Sequence, residues 1–303
     1  MELDEEQRAV VESSKSLVVI AGPGSGKTRV LTSKAEALME QGKDIICICF
    51  TRAAAKEMSD RVPGLPATTI HSYCCGVVGW DDDWSYTGLL TRFLWEEGKR
   101  TFDWVLLDEA QDLNEMELDV VLSLVGDRIF AVGDPYQSIY GFQGAMGYGV
   151  VEVLQNLDIR SVELHNNYRS SGEIVDRLEE IYKRKLVSRN IKDTGWTHIL
   201  CRTNDDLFYI SNFLKKLDIP HRLRVSIDNA EDQKRETDIL GESHLRLSTI
   251  HVAKGTEADK IILYGWLPQE DGEEKRVYYV AMSRASKEFY ETDHLEELLG
   301  YIK

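Results

Sequence analysis

The sequence predicts an α/β protein of two parallel-sheet domains, residues 1–160 and 161–303, and three observations predict it. Short apolar runs alternate with helix-period segments along the chain, which is the pattern of parallel strands joined by crossover helices. Runs such as LVVI at 17–20 and IICICF at 45–50 are apolar at almost every position, as a sheet covered on both faces requires. The strand–helix series begins again near residue 161, and 303 residues are enough for two ordinary domains.

In order, Leu3 to Gln7 leads into a short amphipathic helix with Ala9 and Val10 on its apolar side. Leu17 to Ile20 is a strand, and a helix runs from Lys27 to about Met39. Asp44 to Phe50 is a second strand; Thr51 caps a helix over Ala53 to Arg61, with Pro63 beyond its end. Ala67 to Ile70 reads as a short strand, and His71 and Ser72 open a helix. Residues 76–100 show no firm period and read as a small irregular insertion. Trp104 to Leu107 is a strand, Asn114 to Val125 a helix, and Arg128 to Val132 a strand. In the second series, helices are expected over Ser171 to Lys185, Asp205 to Leu217 and Arg276 to Arg284. Strands are expected over His198 to Cys201, Pro220 to Val225, Leu245 to Ile250 and Lys260 to Tyr264.

Hydrophobic content of 43% and charged content of 29% are those of a soluble globular chain. No apolar stretch approaches the roughly 20 residues of a membrane span, and the acidic start MELDEEQ lacks the pattern of a secretory signal. Five cysteines without a CxxC pair argue against a zinc site or a disulfide framework and fit a reducing cytoplasm. The net charge of −16 weighs against a polyanionic partner only on average, because a nucleic-acid groove needs local rather than global complementarity. The acid concentrates in Asp81-Asp82-Asp83, Asp228 to Glu242 and Glu270 to Glu274, expected to be solvated loops.

The segment AGPGSGKT, Ala21 to Thr28, joins a strand to a helix. Gly22, Gly24 and Gly26 allow successive backbone N–H groups to approach one anion, with Ser25 inside the turn. The helix N-terminus adds its dipole, Lys27 reaches phosphate oxygens and the Thr28 hydroxyl suits Mg²⁺. The general pattern has glycine where this chain has Ala21. Farther on, VLLDEAQD ends an apolar strand in Asp108-Glu109. Such a pair suits Mg²⁺ held by Asp108 and an attacking water polarised by Glu109. In GDPYQSIYGFQGA, Gln137 follows another strand and can sense a γ-phosphate, and Tyr140 and Phe142 lie on a glycine-containing turn where exposed rings can stack on bases. By themselves the loop and carboxylates also fit a small-molecule kinase, or a subunit that holds ATP without splitting it.

Taken together, LDEEQ, AGPGSGKT, FTRAAAKEM (Phe50 to Met58), TIHSYC (Thr69 to Cys74), LLDEAQD, GDPYQSIYGFQGA, NYRSS (Asn167 to Ser171), STIHVAKGTEAD (Ser248 to Asp259) and VYYVAMSRA (Val277 to Ala285) resemble, in family order, the motifs of UvrD/Rep/PcrA-type superfamily 1 DNA helicases. Ala21 is usual in that family. The resemblance implies two RecA-like domains with ATP and Mg²⁺ in the cleft between them. Gln7 would read adenine, Tyr168 would stack on it with Arg29 opposite, and Glu257 would meet the ribose. Arg169 and Arg284 would be arginine fingers from the second domain. The DNA track would use Phe50, Thr51, Arg52, His71, Tyr140, Phe142 and His251. The implied activity is 3′→5′ movement on single-stranded or tailed duplex DNA; the alternative is a DNA-stimulated ATPase with little unwinding. Two departures stand out. Phe142-Gln143 replaces the family's Trp-Arg, and the stretches Cys75 to Phe102 and Gly172 to Leu247 are too short for the usual accessory subdomains.

Overall fold

The computed structural model describes residues 2–81, 85–189, 194–227, 230–266 and 272–302, with backbone alone for 227 and 230–234. The chain divides into two compact units, Met1–Leu164 and His165–Lys303. Each is an α/β layer structure in its own right.

The first unit runs α1 (Glu5–Glu12), β1 (Leu17–Ala21), α2 (Lys27–Glu40), β2 (Ile45–Ile48), α3 (Arg52–Arg61), β3 (Ala67–Thr68), α4 (Ile70–Val78), α5 (Tyr86–Trp95), β4 (Phe102–Leu107), α6 (Glu115–Ser123), β5 (Val125–Gly133), α7 (Gly149–Asn156) and β6 (Arg160–Leu164). Its sheet has the order β3-β2-β4-β5-β1-β6, and every pairing is parallel. Alternate strand residues feed two cores. Val18, Ile20, Ile46, Ile48, Val105 and Leu107 pack with α4 to α7, while Val19, Cys47, Leu106, Phe130 and Val132 pack with α1 to α3. Each fully buried aliphatic side chain contributes about 1.5–3 kcal/mol, so the strands have to be apolar on both faces.

The second unit runs β7 (Asn166–Asn167), α8 (Gly172–Tyr182), β8 (Val187–Ser188), β9 (Thr197–Cys201), α9 (Asn204–Lys216), β10 (His221–Ile227), β11 (Ala230–Ile239), β12 (Leu245–Thr249), α10 (Ile250–Ala253), β13 (Ala258–Tyr264), α11 (Gly272–Met282), β14 (Ala285–Thr292) and α12 (Leu295–Ile302). The main sheet has the order β11-β10-β12-β9-β13-β14. It is parallel except for the β10–β11 hairpin.

The structure corrects several local expectations. Ala9 is exposed, and α1 instead buries Gln7, Val10 and Val11. The stretch 76–100 is not irregular throughout: α4 continues to Val78, and α5 buries Leu89, Leu90 and Phe93. The acidic stretch from Asp228 contains β11, whose backbone pairs with β10, so hairpin pairing overrides charge patterning there. Gly272 to Glu274 open α11. Asp82, Asp83, Asp228, Asn229, Glu270 and Asp271 lie outside the described residues. The sequence pattern assigns no element to α7, β6, β14 or α12. Among the described residues, no helix is long and apolar enough to cross a membrane.

Candidate functional site

In the first unit, β4, β5 and β1 are neighbours in the sheet, and the three motif turns leave their C-terminal ends. Ligands of open parallel sheets bind at that edge. After β1, Gly24 (φ 66°) and Gly26 (φ 82°) take left-handed backbone, which costs glycine nothing. The loop closes on itself through Ser25, whose N–H and hydroxyl both donate to the Gly22 carbonyl at 3.2 and 2.7 Å. Lys27, Thr28 and Arg29 follow as the first turn of α2, all half-buried.

Gln7 is buried against this loop. Its Nε2 donates to the Ser25 carbonyl at 2.9 Å, and its Oε1 accepts from Asp4 N–H in a capping box. A Cβ on Gly26 would lie 2.9 Å from Gln7 Nε2, so the glycine also makes room for the glutamine. The C-terminal end of α1 is fastened by Lys34, whose ammonium donates to Val11 and Ser13 carbonyls and lies over the Trp104 ring. Burial, helped by the Arg128 charge, pulls Lys34 down to about 8.

After β4 the chain kinks at Glu109, a non-glycine residue at φ 48°, ψ 46°, and enters a 3-10 turn over Ala110–Asp112. Such backbone costs of order 1–3 kcal/mol and persists only where its surroundings fix it. Gln111 does the fixing. Its Nε2 donates to Glu109 Oε2 at 2.8 Å and Asp112 Oδ2 at 3.2 Å, and its Oε1 accepts from Asp134 N–H at 2.9 Å. Gln137 Nε2 donates to Asp134 Oδ2 at 2.7 Å. Thus Glu109 and Gln137, from different strands, belong to one hydrogen-bonded network. A Cβ on Gly133 would sit 2.5 Å from Gln111 Oε1, so the last residue of β5 has to be glycine. Gln111, Asp134 and Gly133 lie in recognised motifs, yet nothing local in the sequence signals that they meet.

Asp108 is buried. Burial first, then the neighbouring Glu109 charge, push its carboxyl up to about 7, while Lys27 pulls the other way. A cation brought to Asp108 would relieve that strain, so the donor set of Asp108 and Thr28 fits a divalent ion that keeps water and phosphate ligands. Among the described residues, no group of three or more His, Cys, Asp or Glu side chains could hold a metal ion by itself.

Phe50, Tyr140 and Phe142 meet as a ladder: Phe50 stacks on Tyr140 at 5.3 Å, and Phe142 meets Tyr140 edge-on at 6.1 Å. Of the two rings on this turn, one is buried and one is exposed. Tyr140 is 5% exposed because it is the middle rung, whereas Phe142 is 67% exposed. Thr51 caps α3 through Ala54 N–H, and Arg52 is exposed in its first turn. His71, in the first turn of α4, packs on Trp80 and Tyr86.

In the second unit, Asn167 is buried, and its Oδ1 accepts from the N–H groups of Arg169 and Ser170 at 2.8 Å each. This turn presents Arg169, whose Nε donates to Glu257 at 2.9 Å and whose guanidinium also donates to the Ser283 carbonyl at 3.2 Å. The adjacent Arg284 is buried and donates to Ser283 Oγ at 2.8 Å and to the Val280 carbonyl at 3.1 Å. Ser283 therefore touches both arginines, a link that the sequence did not reveal. Tyr168 is half-buried beside them in sequence. His251 lies on α10, and with Arg202 it holds the Glu274 carboxyl low, the Arg202 hydrogen bond being the larger effect. Asp259 ties the turn before β9 to β13 and β14. It accepts from Thr194 N–H and hydroxyl, Gly195 N–H and Ser286 hydroxyl at 2.7–3.1 Å.

Residues 6–143 match the family profile described as an AAA domain, and residues 223–295 that of the UvrD-like helicase C-terminal domain. Together the two matches make the chain similar to UvrD-like superfamily 1 helicases. This UvrD-like chain is 24% identical over 366 residues to the putative ATP-dependent DNA helicase R568 of Acanthamoeba polyphaga mimivirus, covering 94% of this chain and 52% of that protein. It is 25% identical over 278 residues to the ATP-dependent DNA helicase Rep of Escherichia coli, covering 56% and 41%. It thus spans about half or less of the length of these relatives. Among solved structures it resembles the Pif1 helicase from Candida albicans (TM-score 0.58, 14% identity, 100% of this chain and 99% of that one). It also resembles the Pif1 helicase from Bacteroides in complex with ADP-AlF3 and single-stranded DNA (0.53, 15%, 96% and 92%). These likenesses identify the two α/β units as RecA-like.

Proposed function

We propose that this UvrD-like chain is a Mg-ATP-driven translocase and helicase that moves 3′→5′ on single-stranded DNA. The observation that carries the reading is the network at the edge of the first sheet, where Glu109 and Gln137 are locked together beside Asp108 and the phosphate loop. In this reading Lys27 and the loop N–H groups bind the phosphates, Glu109 takes a proton from the attacking water, and Gln137 senses the γ-phosphate. Thr28 and Asp108 hold Mg²⁺, which neutralises phosphate charge when bound. Gln7, Arg29 and Tyr168 hold the base, and Glu257 the ribose. Arg169 and Arg284 come from the second unit as fingers worth about 10³–10⁵ in rate, so ATP closes the two units and hydrolysis releases them. Phe50, Thr51, Arg52, His71, Tyr140, Phe142 and His251 line the DNA path.

The 3′→5′ direction rests on the likeness of GDPYQSIYGFQGA and TIHVAKGTEAD to the UvrD/Rep branch. The short α4–α5 connection favours a second reading, in which the chain translocates or remodels nucleoprotein with little intrinsic unwinding. The test is ATPase activity with and without single-stranded DNA, paired with unwinding of 3′-tailed and 5′-tailed duplexes. Stimulated turnover with unwinding of the 3′-tailed duplex supports the leading reading, and stimulation without unwinding supports the second. Unwinding of the 5′-tailed duplex alone overturns the polarity, and unstimulated ATPase overturns the DNA motor.

A further inference from the structure

We propose that His71, Trp80 and Tyr86 form a second base-stacking platform for single-stranded nucleic acid, continuous with the Phe50–Tyr140–Phe142 ladder. The proposal rests on the nucleic-acid reading above and extends it into the segment after α4, to which no function had been assigned. Tyr86 stacks on the His71 ring at 5.8 Å with 26° between planes, and Trp80 meets the same ring at 5.3 Å and 48°. Rings buried for stability alone lie inside a core, but Trp80 is 47% and Tyr86 37% exposed. Both keep one side on His71 and leave part of their surface to solvent.

Three links tie this platform to the ladder within the first unit. The Tyr86 hydroxyl donates to Glu117 Oε1 at 2.6 Å, which fixes the ring before any ligand arrives. The other oxygen of Glu117 accepts from the N–H of Asn114, the cap of α6. Asn114 in turn lies against the glycine turn that carries Phe142, since a Cβ on Gly144 would sit 3.6 Å from Asn114 Cβ. The two aromatic groups therefore share a rigid support at the start of α6. A ring held in place in advance binds a base with less loss of conformational freedom.

The local charge identifies which part of the nucleic acid is recognised. Asp81 is exposed beside Trp80, and Glu117 holds Tyr86. The Glu117 carboxylate beside Tyr86 disfavours a phosphate at that ring, so the platform grips bases by stacking. Stacking tolerates any base and does not release counterions. A platform of this kind gives a strand an aromatic stop beyond the ladder, in a chain whose insertion at this point is short.

The full chain should be titrated with a fluorescently labelled oligothymidylate at two salt concentrations. Trp80→Ala should weaken binding by about 5- to 20-fold, by the same factor at both salts, as loss of one stacked base predicts. Tyr86→Ala should behave similarly, while Trp95→Ala, an exposed tryptophan outside the platform, should bind as the unaltered chain does. Quenching of tryptophan fluorescence by the bound strand should fall in Trp80→Phe and persist in Trp95→Phe, a readout that survives if the alanine variant folds poorly. The proposal is overturned if Trp80→Ala and Tyr86→Ala bind within twofold of the unaltered chain while Phe142→Ala binds more weakly; the nucleic-acid reading then stands. Unchanged quenching in Trp80→Phe overturns it equally. Absence of binding by the unaltered chain removes the reading beneath it.

Discussion

Gly133→Ala tests whether the network beside the phosphate loop is a lock or an incidental set of contacts. The added Cβ would lie 2.5 Å from Gln111 Oε1, 3.1 Å from Ala110 N and 3.3 Å from Gln111 N. Two of these neighbours are backbone atoms of the 3-10 turn, so the side-chain amide has to give way. It cannot do so freely, because it bonds Glu109, Asp112 and Asp134 together. Overpacking costs about 1–3 kcal/mol. Leaving the Asp134 N–H without its acceptor adds about 1–3 kcal/mol. A loss of about 2–6 kcal/mol is a large share of a domain's usual stability of about 5–15 kcal/mol. If Glu109 is the general base, its release should also lower ATP turnover by about 10²–10⁴. Urea unfolding of the full chain measures the first effect, and steady-state phosphate release measures the second below the unfolding transition. Stability within about 0.5 kcal/mol of the unaltered chain, together with undiminished turnover, would refute the lock.

Lys27→Ala and Glu109→Gln should each abolish phosphate release, and Glu109→Gln should still bind nucleotide; near-normal turnover in either removes its assignment. Ser283→Ala should lower kcat with little change in KM for ATP, because it removes the hydroxyl that holds Arg284 while leaving the backbone carbonyl that holds Arg169, whereas Ser283→Thr keeps the hydroxyl and should restore most of the rate. Equal loss in both variants would mean that Ser283 matters only for packing. Burial opposes the charged form of Asp259, yet hydrogen bonds from Thr194, Gly195 and Ser286 outweigh it and hold the carboxyl at about 2. A depressed carboxyl stabilises the fold fully above its unfolded value, about 3.9, and that contribution is lost as pH falls through the folded value. Asp259→Asn should therefore cost about 1–2 kcal/mol at pH 7, allowing for solvent screening of a partly exposed group. The gap should narrow between pH 4 and 2, and a gap independent of pH in denaturant melts would contradict the assignment.

Much of the candidate site was legible because its parts are local. A glycine turn between an apolar strand and a helix, or a strand ending in two carboxylates, is specified by consecutive residues. Cap residues were similarly readable, and Thr51 caps α3 as expected. Pairing between segments was not readable. The hairpin strand β11 reads as solvated acid because its partner, β10, supplies the hydrogen bonds that make it a strand. Helix α5 was missed because Leu89, Leu90 and Phe93 find their core only against other elements.

The chain's linear pattern thus determined two alternating α/β series, the conformational needs of the phosphate loop and the identities of the candidate catalytic groups. Tertiary structure alone decided which groups hold them. Gln111 reaches Asp134 across 23 residues, and Arg169 reaches Glu257 across 88. It also decided that Tyr140 is a buried rung and Phe142 the exposed one. The reason is physical: local backbone preference is set by neighbours in the chain, whereas burial and side-chain partnership depend on which strand ends the sheet order brings side by side.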